Sequence, residues 1–313
     1  VIVTLTPNPS IDRTILLSEP LERGAVMRSV STTDDAGGKG VNVAQVVRNA
    51  GQLAVAVLPG EHDDPLLLKL RELRVIHRPV STGRPSRINL TLAEPNGVTT
   101  KINAPGTRLD PAHLDQLLDE TVRESAGARW AVLSGSLPPG ADPGWYADVI
   151  GAIADDGVSI ALDTSGDALR LAVERVPHLI GLLKPNVEEL AELVGTPVDS
   201  LHETGSLVAA GRPLLDAGVG AVLLTCGSRG AALMTTAGTW VADAPPVRAR
   251  STVGAGDSAL AGYVLGALDG LDPGKRLSLA VAYGSAAVSL PGSTMPSPTD
   301  LPPLTEARPW TEG

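Results

Sequence analysis

The sequence predicts an α/β protein: a doubly wound, mainly parallel sheet flanked by helices, with a smaller β-sheet standing off it. Three observations carry this. Continuous apolar runs of strand length alternate with amphipathic helical patterns over most of the 313 residues, as expected of strands buried on both faces. Four runs end in polar or glycine tips, LSGSLPPG (133–140), LDTSG (162–166), LLKPN (182–186) and LLTCG (223–227). Open α/β sheets bind ligands beyond the carboxyl ends of their strands, so four such tips describe one long cleft. Finally, a polar hairpin that suits no buried parallel sheet interrupts the alternation.

Along the chain, Val1–Leu5 predicts the first strand. Ser10–Leu17 predicts a strand of the smaller sheet, because Ile11, Thr14 and Leu16 do not fit a buried parallel run. The segment VNVAQVVRNAG (41–51) reads as a helix, and Leu53–Leu58 as the next strand. Arg87–Leu92 alternates polar and apolar, Pro95-Asn96-Gly97 is a hairpin turn signal, and Val98–Asn103 returns. Helices are predicted over Pro111–Ser125, Pro143–Asp155, Val187–Val194 and Gly205–Ala217. Strands are predicted over Trp130–Ser134, Val158–Asp163, Leu179–Lys184 and Val219–Thr225. A further helix opens with ALAGYVLGAL (259–268), and the Pro-rich tail after Leu290 predicts irregular surface structure. No internal repeat or low-complexity linker divides the chain, which reads as a single domain, 1–313.

Composition narrows the classes of function. Apolar residues make up 43% of the chain, yet Phe is absent and aromatics are 2%, so the core must be built from Val, Leu, Ile and Ala. A net charge of −10 argues against nucleic acid or an anionic membrane as partner. An anionic substrate would then need a local cluster of basic residues. One cysteine, Cys226, excludes an internal disulfide and fits a reducing cytoplasm. The apolar run at Val1 has no basic segment before it, which predicts no secretory leader. The longest apolar stretches are too short and too broken by Gly to span a bilayer.

The chemistry is most legible in Ser251-Thr252-Val253-Gly254-Ala255-Gly256-Asp257-Ser258, a glycine-rich turn running into a helix. Unpaired N–H groups and the positive end of the dipole make a helix N-terminus an anion site. A carboxylate there, at Asp257, makes most sense as a base that takes a proton from an attacking hydroxyl, which implies phosphoryl transfer. Two other readings exist. The letters fit the dinucleotide fingerprint, but VRARSTV before them is polar, and that fingerprint belongs after the first strand, where TPNPS stands. An Asp beside glycines also serves simply as a helix cap.

A second glycine-rich turn, Asp35-Ala36-Gly37-Gly38-Lys39-Gly40-Val41-Asn42-Val43-Ala44, opens the helix at 41–51. It is not a Walker A loop, because Gly40 follows Lys39 where Ser or Thr is required. Together the two turns, in this order, resemble the paired signatures of the PfkB-type carbohydrate kinases, which share the ribokinase fold, and the resemblance extends over nearly the whole chain. It implies ATP and Mg²⁺ as cofactors. It also implies that segments of approximately 10–30 and 86–104 form a lid over the sugar, often also a homodimer clasp.

Residue roles follow from the resemblance. Asp257 is implied as general base, with the N–H groups of Gly254, Ala255 and Gly256 as anion hole. Asp12, in TPNPSID, and Asn42 match sugar-binding positions. Lys39 beside Gly38, together with Arg28, Arg87 and Lys101, are the candidates for holding a substrate phosphate, since arginine forks and lysine point charges suit it. Lys184, Asn186, Thr225, Gly227, Gly230, Gly284 and Ser285 are implied at the nucleotide. Asn186 and Glu189 match Asn-x-x-Glu and, with Asp163, are implied around Mg²⁺, mostly through water; the same pair would also make a capping box. Lys39, Asp12 and Arg87 look most like the branch acting on phosphorylated ketohexoses, with fructose 1-phosphate the expected acceptor and tagatose 6-phosphate and fructose 6-phosphate the alternatives. Gly60-Glu61-His62-Asp63-Asp64-Pro65 departs from the family in lacking a glycine after its aspartate. A non-catalytic sugar-phosphate sensor on this fold would be expected to lose Asp257 or the glycine turn, and a nucleoside kinase much of the basic set.

Overall fold

The apolar runs become the central strands of a computed structural model that describes residues 1–154 and 157–311. In chain order the first part contains β1 (Ile2–Leu5), β2 (Ser10–Leu17), β3 (Ser29–Gly37), α1 (Lys39–Asn49), β4 (Ala54–Pro59), α2 (Pro65–Glu72), β5 (Ile76–Val80), β6 (Arg87–Ala93) and β7 (Thr99–Ile102). The middle contains α3 (Pro111–Ser125), β8 (Trp130–Ser134), α4 (Trp145–Ile153), β9 (Ser159–Asp163), α5 (Gly166–Arg175), β10 (Leu182–Leu183), α6 (Val187–Val194) and α7 (Thr204–Asp216). The last part contains β11 (Ala221–Thr225), β12 (Ala231–Thr235), β13 (Gly238–Ala242), α8 (Ala255–Leu268), α9 (Pro273–Ser289) and β14 (Arg308–Pro309).

The main sheet has the order β14-β13-β12-β11-β10-β9-β8-β1-β4-β5 and is parallel from β5 to β11. β12, β13 and β14 extend it antiparallel. One face is buried by α1, α2, α8 and α9, the other by α3 to α7. With no Phe available, small residues let helices approach closely instead. At Gly262 of α8 a Cβ would stand 2.8 Å from the Leu279 carbonyl of α9, and beyond its first turn α8 is apolar all round, as a helix buried on every side must be. A second sheet, β3-β2-β6-β7, stands off the first, formed by the polar segments that the pattern separated from the core.

Three differences from the sequence expectation have physical causes. The strand expected over Leu179–Lys184 shortens to Leu182–Leu183, because Pro177–Leu179 forms a 3₁₀ turn just before it. The helix expected from Pro143 begins at Trp145, after the Asp142 carboxylate accepts the Gly144 N–H at 2.7 Å; Asp155, its expected end, lies outside the described residues. The tail after Leu290 is not simply irregular surface. It carries a buried Met295, packs Leu301 and Ala307 on one core and Trp310 on the other, and pairs β14 with the edge strand β13. An edge strand left bare would be open to pairing with other chains.

Candidate active site

The carboxyl ends of β1, β8, β9, β10 and β11 open on one edge of the main sheet, and the N-termini of α1 and α8 meet there. Gly254 precedes α8 with φ 71°, a left-handed conformation that favours glycine. The next N–H groups begin the helix and have no carbonyl within it to bond; that of Ala255 reaches Thr252 O only at 3.5 Å. Gly254, Ala255 and Gly256 thus offer donors at the positive end of the dipole, with Asp257 in the first turn.

Asp257 is 7% exposed. Burial, and then the charge of Asp163, push its pKa up to about 6, while a hydrogen bond from Asn42 and the charges of Lys39 and Lys184 hold it down. The Asn42 amide Nδ2 donates to Asp257 Oδ2 at 2.8 Å. A carboxylate that is ionised at neutral pH yet basic enough to take a proton is what a general base requires.

Beside it lies a charged cluster. Asp163 is fully buried, with the Lys39 ammonium 2.7 Å from Oδ1 and that of Lys184 3.2 Å from Oδ2. Burial pushes the Asp163 pKa up, but Lys184 and Lys39 prevail and hold it low. Lys39 also lies 3.7 Å from Glu189 Oε1; against the effect of burial, Asp163 and Glu189 raise its pKa. Lys39 therefore joins Asp163 and Glu189 rather than the basic residues of the smaller sheet, with which the sequence had grouped it. Asn186 and Glu189 form the capping box, Asn186 Oδ1 accepting from Glu189 N at 2.7 Å and Glu189 Oε2 from Asn186 N at 2.9 Å.

These contacts decide what a metal could use. Asp163 is committed to two lysines and Asn186 Oδ1 to the cap, and among the described residues there is no group of three or more metal-ligating His, Cys, Asp or Glu side chains. Glu189 Oε1 remains, so the residues fit a nucleotide-borne Mg²⁺ held through water, with Asp163 beside it engaged by the two lysines.

Of the sugar candidates, Asn42 lies on α1 and Asp12 on the second sheet. Asp12 Oδ1 accepts from Ser10 Oγ at 2.7 Å and from Asn89 Nδ2 at 3.0 Å. Asn89, which the sequence reading missed, also accepts the Ala104 N–H at 3.2 Å. Its signal was present in the alternation of β6, which puts Arg87, Asn89 and Thr91 on the same face as Asp12. Asn8 was missed too: its Nδ2 lies within 3.1–3.4 Å of Pro105 O, Ser136 Oγ and Leu137 O, tying two strand tips together.

The expected phosphate cluster is only partly assembled. Arg87 donates from its two terminal nitrogens to Ala104 O at 2.7 Å and Asn8 O at 2.9 Å, so it clamps the root of the second sheet. Lys101 is exposed on that sheet, and Arg28 is exposed just before β3. Gly37 and Gly40 are glycines for packing: a Cβ on Gly37 would meet the Asp12 carboxyl, and on Gly40 the Leu5 carbonyl at 2.9 Å. Gly38, beside them, packs on Thr6 and Pro9.

At the nucleotide end, Lys184 projects beside Gly256, and Thr225 bridges to Asn186 across neighbouring strand tips. Gly227 faces open space, whereas Gly230 packs against the backbone of 242–244. Gly284 is placed against Ala255 O and Ala259 at the α8–α9 contact and is partly exposed; Ser285 next to it is buried. Cys226 is partly buried, and burial raises its thiol pKa, as for a small core residue. In the departing loop, Glu61 accepts the Thr82 and Gly83 N–H groups, and Asp64 caps α2 and accepts from Ser86 N at 2.7 Å. No described helix is long and apolar enough to cross a membrane.

Comparison with known proteins gives the family and the fold. Residues 6–300 match the family described as pfkB family carbohydrate kinase. The chain is 34% identical over 308 residues to a 1-phosphofructokinase of Rhodobacter capsulatus, covering 97% of this chain and 95% of that protein. It is 33% identical over 298 residues to an ATP-dependent 6-phosphofructokinase isozyme 2 of Mycobacterium tuberculosis, covering 93% and 85%. Phosphofructokinase-2 from Escherichia coli in complex with potassium superposes with a TM-score of 0.89 at 29% identity over 96% of each chain. The tetrameric inhibited form of that enzyme gives 0.86 at 29% identity, covering 93% of this chain and 95% of that one.

Proposed function

The chain belongs to the pfkB family of carbohydrate kinases, and we propose that it transfers the γ-phosphoryl group of ATP to fructose 1-phosphate, giving fructose 1,6-bisphosphate. The observation that carries this reading is Asp257, a buried carboxylate with its pKa pushed up to about 6 in the first turn of α8, beside the donors of Gly254, Ala255 and Gly256.

Asp257 takes the proton of the acceptor hydroxyl as that oxygen attacks, and the N–H groups of the turn stabilise charge on the moving phosphoryl group. Lys39 and Lys184, held by Asp163, supply positive charge along the phosphates. Mg²⁺, when bound with the nucleotide, neutralises phosphate charge; Glu189, with Asn186 ordering it, is the residue that would hold its waters. Asp12, Asn42 and Asn89 orient the sugar, and the second sheet excludes water as a lid.

The ketohexose-phosphate acceptor is supported by the 1-phosphofructokinases among the relatives and by the exposed basic residues Arg28 and Lys101 of the lid segments. The 6-phosphofructokinase relative at nearly equal identity supports fructose 6-phosphate as the second reading, and tagatose 6-phosphate is its third ester. Release of ADP from Mg²⁺-ATP with each ester at matched concentration is the test. Preference for fructose 1-phosphate is expected, and preference for another ester moves the acceptor while keeping the mechanism. No ADP with any of them, from folded protein that binds ATP, overturns the reading in favour of a sugar-phosphate sensor.

A further inference from the structure

The amide of Asn42 joins the two glycine-rich turns: its Nδ2 donates across from the first turn of α1 to Asp257 Oδ2 on α8, at 2.8 Å. Both residues are more than nine-tenths buried, and the other end of the amide, Asn42 Oδ1, is buried with no hydrogen-bond partner among the described residues. We infer that Asn42 is a positioning residue for the base, holding Asp257 ionised and turned toward the acceptor, as well as a contact for the sugar. The inference rests on Asp257 being the base.

The direction of the amide follows from charge. An ionised carboxylate can only accept, so the nitrogen of Asn42 must face it and the oxygen must turn away. This leaves Oδ1 as an orphan acceptor, a costly state for a buried polar atom that a donating hydroxyl of the sugar would relieve. Asp257 Oδ1 carries no protein hydrogen bond among the described residues, so occupation of Oδ2 by Asn42 selects Oδ1 as the oxygen that receives the proton. The charged groups around Asp257 are Asp163, which opposes its ionisation, and Lys39 and Lys184, which favour it. Asn42 is the neutral partner of the base, and a hydrogen bond to the charged form favours that form.

Two measurements test this. The acid limb of kcat/KM for the sugar phosphate is followed in the wild type, Asn42→Ala and Asn42→Ser. Loss of the donor in Asn42→Ala is expected to move the limb upward by roughly one pH unit, with a smaller shift in Asn42→Ser, which keeps a hydroxyl donor. A residue that contacts only the sugar would raise KM and leave the limb where it was, and an unmoved limb in both variants overturns the inference. The second measurement needs no turnover and no Asn42 variant. In the free protein, with side-chain ¹⁵N-labelled asparagine, the Asn42 NH₂ signals should titrate near pH 6 and stop doing so in Asp257→Asn. Flat signals in the wild type overturn the inference even where the kinase reading stands. Wild-type protein inactive on all three esters would defeat that reading, while the NMR titration still decides whether Asn42 holds Asp257.

Discussion

Asp257 is buried beside a second carboxylate, Asp163, and this arrangement weakens the folded state wherever Asp257 is ionised. Its pKa rises from 3.8 to about 6 on folding. The stability that goes with a raised pKa is fully present below pH 3.8 and is lost as pH climbs through about 6. A shift of that size corresponds to roughly 3 kcal/mol. Asp257→Asn should therefore melt several degrees above wild type at pH 7.5 and level with it near pH 3.5, as differential scanning calorimetry would show. The same variant should lose turnover by roughly 10²–10⁴-fold; unimpaired turnover would remove the proposed base. Asp163 has the opposite character. Asp163→Asn would leave the buried Lys184 ammonium without its counter-charge, a loss of roughly 3–5 kcal/mol, measurable as a lower urea midpoint at pH 7.5.

At the scale of elements, the lid depends on its root. Asn89 of β6 is hydrogen-bonded to Ser10 and Asp12 of β2 and to the Ala104 backbone beyond β7. Asn89→Ala should raise the KM for the sugar phosphate about tenfold, the order expected for one charge-assisted hydrogen bond, and leave the KM for ATP unchanged; equal effects on both would mean that the lid root serves the whole cleft. The sequence made α3, α6, β2 and β8 legible to the residue. Asp110 and Asn186 cap the two helices with their side chains, and the two strands have distinct apolar patterns. The antiparallel β12–β13 hairpin and the strap ending at β14 were not legible, because their pairing depends on an edge formed only by distant elements. In the site, the two glycine turns marked where α1 and α8 begin. The partners of Lys39 and Arg87 could not be read, since a lysine or arginine shows its charge in sequence but not which carboxylate or carbonyl it reaches.

For the whole molecule, the two faces of the lid differ in character. The face bearing Asp12 and Asn89 is polar. On the opposite face the strand register brings Ile15 beside Leu92 and Leu90 between Arg13 and Ile102, with Ile88 next to Ile11. Ile88 and Ile102 are 41% and 53% exposed. Apolar side chains gathered on one side of a sheet, here around the Arg13–Asp34 ion pair, favour a second copy as cover, and the homodimer clasp that the resemblance implies would be that cover. Sedimentation should then give twice the 32.1 kDa of one chain, whereas a tetramer, as in the inhibited form of E. coli phosphofructokinase-2, would require a further surface. The double variant Ile88→Glu with Ile102→Glu places charge on that face without touching the main core. It should sediment as a folded monomer with an unchanged melting temperature apart from the loss on dissociation. Because the proposed sugar contacts Asp12 and Asn89 lie on the other side of the same strands, releasing the pair should weaken sugar-phosphate binding and leave ATP binding intact. A monomeric variant with wild-type KM for the sugar phosphate would mean that each lid holds its shape alone; a variant that still sediments with wild type would put the interface elsewhere.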